Sequence, residues 1–307
     1  MGPVKAFCPG GITSFFEPYR MRRLGQIPEN LRAAARGGGF TIEKGTTTCV
    51  SARRARKNRI EVYINNEPTR NAYTTETVAK LLLKQTDRRF ALKIEHEVEV
   101  PIGAGYGASA TGALSAALAM NELLTLGLTF NEVGFFAHTA DIKCRTGLGT
   151  VGPLLVGGCV IQKEGGPPGL CRIDRIPIKP SYMIISGCYG PISTRKILDS
   201  KTIIKKIGQE GRRTMHLILK KPNLRNFLQL SEDFAFRVGF MTERVERLIE
   251  AARRAGSVGA TQNMLGEAFH AVVEEDLAEE VLVALRDLIP DGRLFSTRID
   301  FEGARLL

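Results

Sequence analysis

The chain has 307 residues, long enough to bury a sizeable core and, at ordinary domain sizes, to form two domains. Its hydrophobic fraction of 43% and charged fraction of 24% are ordinary for a soluble globular protein. Lys and Arg outnumber Asp and Glu by 43 to 32, and the net charge of +11 attracts anions, from nucleic acid to phosphorylated or carboxylated small molecules.

In chain order, residues 4–16 read as a strand entering a loop. Gly37-Gly-Gly39 reads as a turn, followed by a hairpin of Phe40–Lys44 and Thr46–Ser51 rich in β-branched residues. The basic run Arg53–Arg59 has no interleaved aromatics, so a solvated hairpin loop explains it more simply than a nucleic-acid surface. Arg59–Asn65 is a further strand, and Thr75–Gln85 has helical periodicity with Thr74 or Thr75 as N-cap. Phe90–Val100 alternates as a strand, and a second helix is expected over Asn131–Thr139. Leu154–Lys163 looks strand-like, Gly165–Gly169 breaks the chain, and Ser181–Ser186 opens a second domain. Helices follow near 199–220, 224–230, 240–255 and 276–288, with a loop at Gly256–Gly266 and a last strand near Arg293–Phe301. The pattern predicts an α+β protein with domains at 1–175 and 176–307.

No apolar run approaches a membrane span and the N-terminus lacks a signal-peptide pattern, so a cytoplasmic protein is expected. The six cysteines contain no CxxC pair, which argues against a zinc ribbon and a disulfide framework.

The most informative stretch is Pro101-Ile-Gly-Ala-Gly-Tyr-Gly-Ala-Ser-Ala110 and the alanine-rich helix behind it. Alternating glycines let the backbone take left-handed angles close to a ligand, and the helix start aims its unpaired N–H groups at whatever the loop holds. Phosphate is the obvious occupant; a tight turn with close packing is the alternative on these residues alone. The loop is neither GxxxxGK[ST] nor GxGxxG. A literal GxGxxG does occur at Gly147–Gly152, but polar Lys143–Thr146 precedes it and Pro153 follows, which is not a dinucleotide-binding context.

The wording of the loop resembles the signature of the GHMP kinases, the superfamily of galactokinase, homoserine kinase and mevalonate kinase. That resemblance implies a two-domain fold, with a ribosomal protein S5 domain 2-like N-terminal domain and a ferredoxin-like C-terminal domain. It implies ATP held by Gly103, Gly105, Tyr106, Gly107, Ala108, Ser109 and Thr111, and Mg²⁺ held by Ser109 and Asp141. Asp141 matches the family's usual glutamate, one methylene shorter. Thr150 stands where many members carry an aspartate proposed as catalytic base, and a hydroxyl cannot take up a proton at neutral pH. Phosphoryl transfer relies mainly on positioning and charge neutralisation, so this departure leaves a kinase possible without naming its base.

Further segments, Ala6–Phe16, Ala137–Asp141, Thr146–Gly158, Thr194-Arg195 and Ala255–Gln262, are most similar to the archaeal pantoate kinases of that superfamily. This implies phosphorylation of (R)-pantoate to (R)-4-phosphopantoate in coenzyme A biosynthesis. Arg145 or Arg195 would then meet the carboxylate, while Thr13, His138 and Thr194 would bond the hydroxyls. The alternatives are a kinase for homoserine, shikimate or mevalonate, or a catalytically silent nucleotide-binding protein. The partners expected are a small hydroxy acid and at most a second copy in a homodimer, with no nucleic acid and no membrane.

Overall fold

The computed structural model describes residues 2–21, 33–191, 201–289 and 293–307. Two sheets carry the chain. The first contains β1 (Val4–Arg20), β2 (Ala33–Arg54), β3 (Arg59–Ile64), β4 (Glu67–Thr69), β5 (Phe90–Val98), β6 (Cys159–Glu164) and β7 (Arg172–Ile176). The C-terminal strand β12 (Arg305–Leu306) returns to it, in the order β12-β1-β2-β5-β3-β4, with β6 paired to β2 and β7 to β6.

The expected hairpin at 40–51 is instead one 22-residue strand. Gly37–Gly39 lies inside β2, opposite Phe16, Phe15 and Thr13 of β1, rather than at a turn. A β-bulge between Thr13 and Phe15 brings the backbones together there, and a Cβ on Gly39 would overlap the Ile12 carbonyl. These glycines serve close approach. Arg53–Arg59 does not close a hairpin either, because β5 lies between β2 and β3 and pairs with β3 in parallel.

Four helices cover this sheet: α1 (Tyr73–Leu82), α2 (Ala108–Leu124), α3 (Phe130–Cys144) and α4 (Val151–Val156). The cap of α1 is Ala72, with no side-chain bond, rather than either threonine. Every residue of α2 from Ala110 to Met120 is buried, and the helix packs among β1, β2, α1 and α3. Its alanines and glycine let neighbours approach closely on all sides. Helix α3 starts at Thr129 in a capping box, the Thr129 hydroxyl accepting from Glu132 N–H and the Glu132 carboxylate from Thr129 N–H. It runs beyond the expected end at Thr139, so His138 and Asp141 stand on the helix one turn apart.

The second sheet is antiparallel, β11-β8-β10-β9, from β8 (Tyr182–Pro191), β9 (Gly259–Gln262), β10 (Gly266–Glu274) and β11 (Leu294–Arg298). The helices that follow among the described residues are α5 (Lys201–Lys220), which packs on β1, and α6 (Leu224–Val238), α7 (Glu243–Arg254) and α8 (Ala278–Arg286), which pack on the second sheet. The loop expected over 256–266 contains β9, and β10 went unread. β10 is buried along almost its whole length, so it shows no alternation.

The two sheets share one core. Phe15 meets Phe227 edge-on at 5.9 Å between centroids, and Phe40 meets the same ring at 5.6 Å. A polar seam runs through it. His270 Nδ1–H donates to Asn263 Oδ1 at 2.7 Å, which leaves Nε2 to accept from the Ser14 hydroxyl at 2.9 Å. Burial lowers the His270 pKa to about 3, so the ring is neutral and this tautomer is the one its partners require. Among the described residues no helix is long and apolar enough to cross a membrane.

Candidate active site

The glycine loop joins β5 to α2, with Gly103, Gly105 and Gly107 at φ +78°, +88° and +70°. Gly107 caps α2 without a side chain, so the first-turn N–H groups stay available to an anion. The loop is held from both sheets. Gly11 N–H of β1 donates to the Tyr106 carbonyl at 3.0 Å, while Met264 N–H, beside the loop, ties the second sheet to the Thr13 carbonyl of β1 at 2.8 Å. The buried Tyr106 hydroxyl lies 2.8 Å from Ser186 Oγ on β8. Ser186 donates its own proton to the Phe269 carbonyl, so Tyr106 is the donor.

One cleft opens over this loop. Its walls are the β1 bulge at Gly11–Thr13, the Ala35–Thr41 part of β2, the loop itself with Ser109, the 146–150 turn and Met264–Leu265. Asp141 lies at its edge and is 1% exposed. Its Oδ1 accepts from the Thr146 hydroxyl at 2.5 Å, while Oδ2 is buried with no hydrogen-bond partner among the described residues. Burial pushes its pKa from 3.8 up to about 6, against the smaller lowering by Thr146. A Cβ on Gly147 would overlap Oδ2, so that glycine keeps the carboxylate in its slot.

An unpartnered buried carboxylate oxygen on a residue that lines one cleft with Ser109 and the glycine loop fits a hard divalent cation. Magnesium is commonly held by one or two carboxylates plus substrate phosphates, not by an all-protein cage. Among the described residues no group of three or more His, Cys, Asp or Glu forms a metal cluster.

The other expected residues divide. Thr13, Gly103, Gly105, Gly107, Ala108, Ser109 and Thr150 line the cleft with Asp141. The Thr150 methyl packs near Gly107 and Gly11 and would lie 3.1 Å and 3.3 Å from added Cβ atoms there. Tyr106 is not among the lining residues; it tethers the loop. Thr111 is buried against the Thr46 hydroxyl at 2.6 Å and does not line the cleft either. His138 is 2% exposed, outside the lining, with both ring nitrogens unpartnered among the described residues. Burial lowers its pKa to about 4, so it is neutral at physiological pH. Arg145 is the exposed left-handed residue that ends α3 and is absent from the lining. Thr194 and Arg195 lie outside the described residues.

Sequence reasoning missed three lining elements: Arg36, Gln162 and the Met264–Leu265 turn. Only Arg36 left a signal, as a cation directly before a glycine run. Gln162 Nε2 donates to the Ala35 carbonyl at 2.7 Å, a contact across strands far apart in sequence.

Comparison with known proteins agrees with this architecture. Residues 72–158 match the GHMP kinases N terminal domain and residues 215–291 the GHMP kinases C terminal family. Pantoate kinase of Thermococcus kodakarensis is 30% identical, covering 93% of this chain and 92% of that protein. Pantoate kinase of Methanocaldococcus jannaschii is 29% identical, covering 92% and 97%. Among solved structures, a phosphotransferase related to the CoA biosynthesis pathway superposes with a TM-score of 0.88 at 27% identity, covering 100% of this chain and 99% of that one. A glycine loop braced by both sheets, a buried aspartate beside it and matches in both halves converge on one conclusion: this chain belongs to the GHMP kinases.

Proposed function

We propose that the protein is a small-molecule kinase that transfers a phosphoryl group from ATP to a hydroxyl of pantoate, giving 4-phosphopantoate on the way to coenzyme A. The observation that carries this reading is similarity along nearly the whole chain to pantoate kinases, with the glycine loop and Asp141 lining one cleft.

The α2 N–H groups and the Ser109 hydroxyl would receive the phosphates, and Asp141 with Ser109 would hold Mg²⁺. Magnesium bound there supplies positive charge where negative charge develops on the transferred group. Asp141 is the only carboxylate lining the cleft among the described residues. The Thr150 hydroxyl can hydrogen-bond the acceptor but not act as its general base at neutral pH. The walls therefore act by aligning the acceptor hydroxyl with the phosphate and excluding water; positioning with charge neutralisation dominates catalysis of phosphoryl transfer.

Steady-state assays with ATP, Mg²⁺ and a panel of pantoate, homoserine, shikimate and mevalonate test this. Pantoate is expected to give the highest kcat/KM. Preference for another acceptor overturns the substrate, and nucleotide binding without turnover of any acceptor overturns the enzyme. Thr150 and the shortened acid at Asp141 are what favour that silent reading, so Thr150→Ala is informative. A general base contributes about 100- to 10,000-fold; loss of Thr150 is expected to lower kcat by less than about 10-fold. A fall beyond about 100-fold would assign its hydroxyl an essential part in the chemistry.

A further inference from the structure

The acceptor carboxylate needs a cation; of the two arginines expected from the sequence, Arg145 does not line the cleft and Arg195 lies outside the described residues. Arg36 lines the cleft, and no other Lys or Arg among the described residues does.

Its setting is built rather than incidental. Glu17 on β1 is 2% exposed, and its Oε2 accepts from Arg36 Nε at 2.9 Å and Nη2 at 2.5 Å. The other oxygen, Oε1, accepts from Arg212 Nε on α5 at 3.2 Å. Helix α5 reaches Glu17 through Gly211, where a Cβ would lie 2.9 Å from the Glu17 Cα and overlap the Phe16 carbonyl. The guanidinium also sits over the Tyr19 ring at 5.5 Å. The backbone beside it is pinned by the Gln162 bond to the Ala35 carbonyl.

Two features follow from this arrangement. Glu17 engages Nε and Nη2, leaving Nη1 and the second Nη2 hydrogen outside that pair, the edge that can fork a carboxylate. Two arginines share the one Glu17 carboxylate, so among the described residues this cluster has one positive charge in excess. A single acceptor carboxylate would balance it.

We propose that Arg36 receives the carboxylate of the hydroxy-acid acceptor, with Glu17 as the residue that positions its guanidinium. This rests on the acceptor being a hydroxy acid, as argued above. The Glu17–Arg212 contact then ties that subsite to α5, which packs against β1 and α6.

The test measures pantoate and its neutral amide as acceptors, at saturating ATP, for the unsubstituted enzyme, Arg36→Met, Arg36→Lys and Glu17→Gln. Arg36→Met is expected to raise the pantoate KM about 30-fold or more, the scale of truncating one partner of a hydrogen-bonded charge pair. It should abolish the preference for pantoate over the amide while leaving the ATP KM within about twofold. Arg36→Lys keeps the charge but not the planar fork and should fall between the two. Glu17→Gln should raise the pantoate KM with kcat nearly unchanged, the split expected of a positioning residue.

A folded Arg36→Met, or Arg36→Lys if the first does not fold, that keeps the unsubstituted preference for pantoate over its amide overturns the role of Arg36 and leaves the kinase reading standing. An unsubstituted enzyme that phosphorylates no hydroxy acid overturns that reading, and this inference with it.

Discussion

Asp141→Asn is expected to abolish most activity while making the ligand-free protein more stable at alkaline pH. The activity loss follows from removing the one cleft carboxylate among the described residues, and removal of a preorganised electrostatic group typically costs at least ~100-fold in kcat. The stability gain follows from linkage. Burial lifts this carboxyl from 3.8 to about 6, so between those values the folded chain holds a proton that the unfolded chain has released. Stability contributed by the protonated group is therefore lost as pH rises through that window, by roughly 3 kcal/mol at ~1.4 kcal/mol per unit. Asparagine does not ionise and escapes this loss, although its amide N–H would stay unpartnered at a cost of about 1–3 kcal/mol at any pH.

The variant should therefore be less stable than the unsubstituted protein near pH 4 and more stable near pH 8. Urea unfolding without metal or nucleotide at both pH values measures the change, because other groups titrate alike in both proteins. A difference that does not vary with pH would mean that Asp141 is not held in a destabilised charged state. For the active enzyme, kcat/KM should rise with pH through about 6 as the carboxyl ionises.

Gly266→Ala should damage nucleotide binding from outside every sequence motif. Its Cβ would overlap the Ala104 carbonyl oxygen and lie 2.5 Å from the carbonyl carbon and 3.1 Å from Gly105 N. All three are backbone atoms of the glycine loop, so relief requires moving the loop itself. Such overpacking costs about 1–3 kcal/mol, and a displacement of ~1 Å in a positioning element costs up to ~100-fold in rate. The expected signature is an ATP KM raised by ~10-fold or more, with a smaller change in the acceptor KM. Gly190→Ala is the control in the neighbouring strand, because nothing lies within 4 Å of its added Cβ. Equal effects of the two substitutions would remove the claim that β10 braces the loop.

Local chemistry made part of this protein readable from residues alone. Gly103, Gly105 and Gly107 announce left-handed backbone, and the helix behind them announces an anion site, because both are properties of a dozen consecutive residues. The order of loop, Asp141 and the 146–158 segment carried the family resemblance, and the structure brings loop, carboxylate and turn to one cleft. Contacts between distant segments were not readable. Gly37–Gly39 has the composition of a turn and becomes strand only because β1 bulges against it. His138 and Arg145 have the chemistry of substrate ligands, yet helix α3 buries the one among packed side chains and ends at the other on the surface. Arg36 has the same charge as every other arginine in the chain. What distinguishes it is a buried Glu17 from β1, covered by α5 and paired there with Arg212, 195 residues further along. Burial and charge pairing across such separations exist only once the sheets have packed. The sequence alone determined the glycine loop and the family it belongs to; only the tertiary structure decided that Arg36 is the cation lining the cleft among the described residues, because strand pairing and packing bring it there.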